Sequence, residues 1–297
     1  MAQRIDGKQL SKLIKEEIAE EVRQIKSQGG KTPHLAAVLV GENPASQVYV
    51  RNKVRSCEQV GFDSTLVRLP AETTEEELLR TIAKLNDDSE IDGFIVQLPL
   101  PAHISEEKVT LAIDPAKDVD GFHPVNFGRM AQGMPCYLPA TPFGILQMLE
   151  RYEIPTEGKH CVVVGRSNIV GTPMSILLSR KASPGNCTVT LTHSRTKDLA
   201  AEVRRADIVI AAIGRPNFVT ADMVKEGVTV IDVGINRIED SSRKSGTRLV
   251  GDVDFEGVSQ KAAFITPVPG GVGPMTVTSL LMNTLRASKG EVYKAKS

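Results

Sequence analysis

The sequence predicts a two-domain α/β protein built on parallel sheets, and three observations carry that prediction. Short, continuously apolar runs such as HLAAVLV (34–40) and HCVVV (160–164) recur between stretches of helical spacing. That is the pattern of strands covered on both faces by crossover helices. The run at 160–164 leads into GRSNIVG, a turn bounded by glycines, and then into another helical pattern. A proline- and glycine-rich passage, MPCYLPATPFG, separates two such series near residue 140.

Taken in order, Leu10, Leu13, Ile14, Ile18, Val22 and Ile25 recur at helical spacing, and Gly29-Gly30 can end that helix. Residues 34–40 form the first buried strand. Asn43 reads as an N-cap and Pro44 as the first position of a helix over 44–60. A strand at 64–69 follows, then a helix opened by Thr74 with Glu77 as its capping-box partner. GFIVQL (93–98) is the next strand and runs into the turn-rich PLPAH. The order βαβαβ implies a parallel sheet with right-handed crossovers. In the second series Thr141 reads as an N-cap with Pro142 at the first helical position. Strands follow at 160–164, 188–192, 208–212 and 228–233, with helical patterns between. The polar stretch RIEDSSRKSGTR (237–248) reads as a solvated loop, and a last helix covers 275–287. The expected domains are therefore 1–140 and 141–297, with the last helix able to pack on either.

Composition narrows the function classes. A chain of 297 residues, 41% hydrophobic and 24% charged, can build two cores. The net charge is zero and no basic cluster is longer than a pair such as Arg204-Arg205, so no nucleic-acid partner is expected. Aromatic residues make up 4% and Trp is absent, which argues against a platform for stacked bases. No run approaches the roughly 20 apolar residues needed to cross a bilayer, so no membrane association is expected. The N-terminus is charged from Arg4 onward and lacks a signal-peptide core. Cys57, Cys136, Cys161 and Cys187 are isolated in sequence, as expected of reduced thiols in a cytoplasmic protein. The five histidines never fall in H-x-x-x-H or H-E-x-x-H spacing, and no metal site is expected.

The turn after residue 164 can hold an anion. A buried strand ending in glycine, followed by a turn and a helix, aims backbone N–H groups and a helix dipole at one point. Gly165 lets the chain turn, and Gly171 lets the helix start close to the sheet or to a ligand. Arg166, Ser167 and Thr172 add a cation and two hydroxyls suited to phosphate oxygens. By itself the spacing fits an ordinary βα turn equally well. The end of the next strand is more telling. A site for NAD usually places an acid there to accept from the ribose 2′-OH. Here the residues are His193, Ser194, Arg195 and Thr196, which would hold a 2′-phosphate and so favour NADP. Arg195 lying merely on the surface is the competing reading. Gly214 and Gly234 follow later strands, where a backbone can approach a flat cofactor or simply turn.

In the first domain Tyr49 and Lys53 are one helical turn apart on one face, near the carboxyl end of the preceding strand. A lysine desolvated in such a cleft can exchange protons near neutral pH. Spacing alone more often means a solvated lysine beside a half-buried tyrosine. Tyr-x-x-x-Lys also marks short-chain dehydrogenases, but there the glycine-rich turn precedes the pair, and here it follows by more than a hundred residues.

Tyr49-x-x-x-Lys53, VQLPLP (96–101), KDVDGF (117–122), GRSNIVGTP (165–173) and TPVPGGVGPMT (266–276) occur in this order. Together they make the chain resemble the bifunctional methylenetetrahydrofolate dehydrogenase/cyclohydrolase family, over residues 5–285. The resemblance implies a Rossmann-like dinucleotide-binding C-terminal domain, a homodimer, and a folate cleft between the domains. It implies oxidation of 5,10-methylenetetrahydrofolate by NADP+ and hydrolysis of the methenyl product to 10-formyltetrahydrofolate, in one-carbon metabolism and purine supply. Carried over by motif, Lys53 is the proton-transfer residue, and Gln97 hydrogen-bonds it and keeps it correctly protonated. Tyr49 stacks on the aminobenzoyl ring. Asp120 accepts from the pterin's N–H donors, as a carboxylate can. The methenyl product is already a cation, so water attack needs a positioned base and no metal. Asp118 is preferred as a turn or cap residue.

The resemblance further implies that Pro267, Pro269, Gly270, Gly271 and Gly273 belong to a loop walling the folate and nicotinamide sites. On sequence alone that run is a fixed, non-helical turn, equally compatible with a rigid connector. Gly165, Arg166, Ser167, Ser194 and Ile235 are the implied cofactor contacts. Two alternatives remain beside this reading: a shikimate- or amino-acid-type NADP dehydrogenase, and a non-catalytic nucleotide-sensing protein. The sensor needs no set of Tyr49, Lys53, Gln97 and Asp120.

Overall fold

Residues 2–243 and 246–293 are described by a computed structural model, in which the chain folds as two units. One joins Met1–Ser11 to Thr141–Thr276 and the other joins Lys12–Ala140 to Val277–Ser297. The chain starts with strand β1 (Gln3–Arg4) and helix α1 (Gly7–Ser27).

The unit centred on residues 12–140 holds a three-stranded parallel sheet. Strand β2 (His34–Val40) is followed by α2 (Pro44–Val60), β3 (Asp63–Leu69), α3 (Glu75–Asp87) and β4 (Gly93–Val96). β2 lies in the centre, with Val38 opposite Val67 on β3 and Val96 on β4. Ala36, Val38 and Phe94 pack with Leu78 and Ile82 of α3 in a dry core, as the unbroken apolar run predicts. The Thr74 capping box is formed, satisfying two of the orphan N–H groups that open α3. α4 (Glu106–Ala112) and α5 (Pro124–Ala131) complete this part of the chain. β4 stops two residues short of the expected end. The Gln97 N–H still donates to Val38 O at 2.9 Å, but the cis Leu98–Pro99 bond then takes the chain out of the sheet.

The second unit holds a six-stranded parallel sheet. α6 (Ala140–Arg151) leads to β5 (His160–Val164), α7 (Gly171–Ser179), β6 (Thr188–Thr192), α8 (Leu199–Arg204), β7 (Ile208–Ala211) and β8 (Thr229–Asp232). Then come β9 (Asn236–Glu239), β10 (Thr247–Val250), α9 (Phe255–Ser259), β11 (Phe264–Ile265) and α10 (Val272–Ser288). The strand order is β1-β11-β8-β7-β5-β6. All strands being parallel, their carboxyl ends lie along one edge.

Several expectations are corrected. Thr141 is not an N-cap, because α6 begins at Ala140. Pro142 therefore falls in the first turn, where its missing N–H costs nothing. The Thr141 hydroxyl instead pairs with that of Thr276 at 2.9 Å. The supposed loop 237–248 contains an antiparallel hairpin, β9 with β10, in which Ile238 faces Arg248. Its strands have four residues each and few apolar side chains, Ile238 in β9 and Leu249 and Val250 in β10, too short a run for the pattern to stand out; Lys244 and Ser245 lie outside the described residues. α10 begins at Val272, so Gly273 and Pro274 are helical rather than part of a turn. The units also differ from a single cut at residue 140. Gln3 and Arg4 pair with Phe264 and Ile265, which draws the N-terminal residues into the six-stranded unit. Residues from Val277 onward belong to the three-stranded one.

Candidate active site

In the three-stranded unit, Asn43 caps α2 by accepting from the N–H of Ala45 at 3.0 Å and of Ser46 at 3.2 Å. That fixes the helix phase and sets Tyr49 and Lys53 one turn apart. Tyr49 is 47% exposed, whereas Lys53 is partly buried. Lys53 Nζ donates to Gln97 Oε1 at 3.2 Å. Gln97 Nε2 in turn donates to Leu98 O at 2.6 Å, so both ends of the amide are engaged. Burial pushes the Lys53 ammonium below the ordinary lysine value, and the Asp120 carboxylate pulls it back up. The same two influences act on Asp120 in mirror image: burial raises it and Lys53 lowers it. Lys53, Gln97 and Asp120 thus form one electrostatic cluster, with Tyr49 on the same helix.

The segment carrying Asp120 is clamped by neighbours. Asp118 accepts from the N–H of Phe122 at 3.2 Å and of His123 at 2.8 Å, and from Asn126 Nδ2 at 2.9 Å. The expectation of a turn residue describes that geometry. Burial raises its carboxyl to about 7 against those donors. Asn283, fully buried on α10, donates to Val119 O and Leu138 O, each at 2.9 Å. Gly121 has φ +74°, and a Cβ there would meet the Leu138 carbonyl carbon at 2.6 Å, so glycine is required. Phe94, Val96, Leu98, Phe122, Asp118 and Asp120 line a small adjoining cavity of about 20 Å³. Asn126 and Asn283 were missed in the sequence. The signal was an amide set inside an apolar helical run, as in LLMNTLR.

In the six-stranded unit, Gly165 ends β5 with φ +116°, and a Cβ there would meet Ala212 O at 2.1 Å. A Cβ on Gly171 would meet Gly165 O at 2.0 Å. Both glycines are therefore demanded by close backbone crossing at the mouth of α7. Ser167 Oγ accepts from the N–H of Val170 at 3.2 Å and of Gly171 at 3.3 Å, shaping the loop. The Thr172 hydroxyl donates to Arg166 O at 3.2 Å, which ties the loop to the first turn of α7. Arg166 and Ser167 are exposed beside the start of α7. On the neighbouring strand β6, His193 closes a tight turn by accepting from Arg195 N at 3.1 Å. That leaves the Ser194 and Arg195 side chains exposed. A glycine-cleared helix N-terminus with a hydroxyl and a guanidinium on the next strand end fits a dinucleotide with an added phosphate.

Further along the same edge, a pocket of about 160 Å³ is lined by Asp232, Gly234, Ile235, Leu249 and residues 267–274. It brings together Ile235, Pro269 and Gly270, and Ile235 is 50% exposed. A Cβ on Gly270 would meet nothing within 4 Å, so its surface is open. The expected contacts thus fall in two groups, Gly165, Arg166, Ser167 and Ser194 at β5 and β6, and Ile235, Pro269 and Gly270 beyond β8. The Lys53 cluster belongs to the other unit. Among the described residues no group of three or more His, Cys, Asp or Glu could hold a metal ion, and no helix is long and apolar enough to cross a membrane.

Residues 5–120 match the family model of the tetrahydrofolate dehydrogenase/cyclohydrolase catalytic domain, and residues 139–292 match that of its NAD(P)-binding domain. The chain is 66% identical to the bifunctional protein FolD of Flavobacterium johnsoniae, over 99% of this chain and all of that one. It is also similar in structure to the bifunctional FolD dehydrogenase/cyclohydrolase of Campylobacter jejuni, with a TM-score of 0.92, 48% identity, and coverage of 98% and 100%. The dehydrogenase–cyclohydrolase of Trypanosoma brucei, described as complexed with NADP and an inhibitor, matches with a TM-score of 0.91 at 40% identity, covering 98% of each chain.

Proposed function

This chain belongs to the tetrahydrofolate dehydrogenase/cyclohydrolase family, and we propose that its folate chemistry runs through Lys53, Gln97, Tyr49 and Asp120. The enzyme oxidises 5,10-methylenetetrahydrofolate to the 5,10-methenyl form and hydrolyses that to 10-formyltetrahydrofolate. NADP+, when bound, supplies the hydride acceptor for the first step. Everything else falls to side chains of this chain.

The single observation that carries the assignment is the 3.2 Å hydrogen bond from Lys53 Nζ to Gln97 Oε1, in a partly buried position within the field of Asp120. Desolvation favours neutral Lys53, the form able to take a proton from water as its oxygen attacks the methenyl carbon. The Lys53 ammonium so formed can return a proton to N5 as the carbon–N5 bond breaks, while the carbinol hydroxyl loses its proton to solvent. Atoms and charge then balance: a cation and water give neutral 10-formyltetrahydrofolate and one proton. Asp120 accepts from the pterin's amino and ring N–H groups. Tyr49, exposed on the same helix face, stacks on the aminobenzoyl ring.

For the cofactor, Gly165, Arg166 and Ser167 meet the phosphates, Ser194 and Arg195 meet the 2′-phosphate, and Ile235 lies against the nicotinamide, while Pro269 and Gly270 bind the folate substrate in the loop that walls both the folate and nicotinamide sites. The exposed Ser194 and Arg195, with no acid in their turn, support NADP over NAD. The name of the Trypanosoma brucei relative supports the same choice. We place residues 1–140 as the folate-binding part and 141–297 as the cofactor part. The last helix belongs mainly with the former, and residues before Ser11 with the latter. Family membership supports a homodimer, which light scattering would test. Four free, buried thiols support a cytoplasmic location, and a net charge of zero supports a function without a nucleic-acid partner.

The deciding experiment is a spectrophotometric assay with 5,10-methylenetetrahydrofolate and either NADP+ or NAD+, with Lys53→Ala beside the unaltered enzyme. Reduced cofactor should appear with NADP+ without matching methenyl accumulation, and Lys53→Ala should let the methenyl product build up. Hydrolysis surviving in Lys53→Ala would remove Lys53 from the mechanism.

A further inference from the structure

Two buried carboxylates in the six-stranded unit have no part in the roles assigned above. Asp232 ends β8 and Asp252 lies just beyond β10, at 3% and 0% exposure. Asp252 Oδ2 accepts from the N–H of Ile213 at 2.7 Å and of Gly214 at 2.8 Å, and Oδ1 accepts from Asn236 Nδ2 at 2.8 Å. Asp232 Oδ1 accepts from the N–H of Gly234 and of Asp252, both at 2.9 Å, and Oδ2 from that of Val253 at 3.0 Å. The Asp232 N–H donates to the Thr266 hydroxyl at 2.7 Å. Space is closed around the pair. A Cβ on Gly234 would lie 2.3 Å from Asp252 Oδ1, and one on Gly251 would lie 1.7 Å from Asp232 Oδ2.

The knot sits where sheet hydrogen bonding runs out. The β7–β8 register ends with Ala211 opposite Asp232, and the bond from Val233 N to Ala211 O at 2.8 Å follows it. Beyond that point the turns at Gly214 and Gly234, the passage at Gly251–Val253, and Thr266 before the Pro267–Gly271 loop are joined through these carboxylates. Gly234, Ile235 and residues 267–274 are the walls of the pocket read above as the nicotinamide site. A carboxylate that fills its lone pairs with donors from separate segments fixes the spacing of those segments. Burial pushes Asp232 up to about 7 despite three backbone donors, so the arrangement is kept against a desolvation cost.

We propose that Asp252, backed by Asp232, is a positioning residue for the cofactor pocket: it holds the Gly214 turn and the Ile235–Asn236 segment at fixed separation. Hydride transfer therefore depends on it and cofactor-free hydrolysis does not. The inference rests on the cofactor reading given above, and Asp252 acts through Gly214 and Asn236.

The test compares Asp252→Ala, Asp252→Asn and Asn236→Ala with the unaltered enzyme, by the KM for NADP+ and by hydrolysis of 5,10-methenyltetrahydrofolate without cofactor. Asp252→Ala loses all three acceptor contacts and should raise the NADP+ KM about tenfold or more, with hydrolysis within about twofold. Asp252→Asn keeps a carbonyl for the two backbone donors and should rescue most of that loss. Asn236→Ala, which alters a half-buried side chain, should raise KM about threefold and decides the matter if Asp252→Ala does not fold. An unchanged KM in a variant that still hydrolyses would overturn the inference. So would parallel loss of both activities in Asp252→Asn and Asn236→Ala, the mark of a merely structural role. An unaltered enzyme that binds no NADP+ would overturn the parent reading, and this inference with it.

Discussion

Lys53 Nζ lies 3.2 Å from Gln97 Oε1, across a sequence separation of 44 residues. The contact joins a helix residue to the residue just past a strand, and it anchors the lysine without supplying a countercharge. Replacing Lys53 by alanine is therefore expected to lower the hydrolysis rate by about 10²–10⁴-fold, the range of a lost general acid–base group. Folate affinity should change far less, since Tyr49 and Asp120 remain. Single-turnover hydrolysis together with a folate titration separates the two. Equal loss of both would mean that Lys53 binds rather than transfers protons.

The pH dependence follows from the direction of the shift. Burial lowers the Lys53 pKa and the Asp120 charge raises it. A base must be neutral, so kcat for hydrolysis should rise with pH through the lowered lysine value, on the acid side of an ordinary lysine. Asp120→Asn removes the influence that favours the ammonium. The rising limb should then move further to acid, measured at saturating substrate with the uncatalysed rate subtracted. A limb that moves to alkali would reverse the assigned coupling.

Asn283 is fully buried and meets two carbonyls, at Val119 and Leu138, on either side of Asp120 and its turn. Asn283→Ala leaves both acceptors without a partner, at about 1–3 kcal/mol for each buried group so orphaned. Urea unfolding should register the loss, and folate affinity should fall with it because Val119 adjoins Asp120. A stable variant with intact folate binding would show that the Asp118 and Gly121 contacts suffice by themselves.

How much of this was legible depends on sequence distance. The bounds of α2 and the capping box of α3 were readable because their determinants, Asn43-Pro44 and Thr74 with Glu77, are local. The Tyr49–Lys53 spacing was readable for the same reason. Gln97 and Asp120 carried no local signature and entered only through family resemblance. Asn283 and Asp252 were not read at all. Their partners lie 164 and 39 residues away, at Val119 and Ile213, and a hydrogen bond of that span leaves no periodic trace. β1 has only two residues, and its strand character comes from pairing with β11 rather than from its own side chains.

Gly171 offers a sharp test of the turn before α7. A Cβ there would lie 2.0 Å from Gly165 O, and the obstacle is backbone that cannot rotate away. Gly171→Ala must push α7 off the end of β5, displacing the loop that carries Arg166 and Ser167. NADP+ affinity is expected to fall by about tenfold or more, consistent with overpacking costs of about 1–3 kcal/mol. Equilibrium dialysis would measure it. Gly133, where a Cβ would meet nothing within 4 Å, is a comparison site for substitution itself, although its φ of +69° adds strain of its own.

Ser194 and Arg195 decide the cofactor question. Both side chains point outward from a turn that His193 and Thr196 close by hydrogen bonds, at the end of β6 beside Gly165. If they hold a 2′-phosphate, Arg195→Ala removes a charge-assisted contact that NAD+ never makes. Its loss, about 1.5–3 kcal/mol for a hydrogen bond to a charged group, should raise the NADP+ KM roughly 10- to 100-fold and leave the NAD+ KM unchanged. Adding an acid by Ser194→Asp should go further, repelling the phosphate and offering the ribose 2′-OH an acceptor, so that NAD+ becomes the better substrate. Because hydrolysis of the methenyl form needs no cofactor, its rate in both variants reports directly on folding. Were Arg195→Ala to weaken both cofactors equally, the guanidinium would be acting on the shared pyrophosphate. Discrimination would then have to be sought at Arg166, the other exposed cation beside the start of α7.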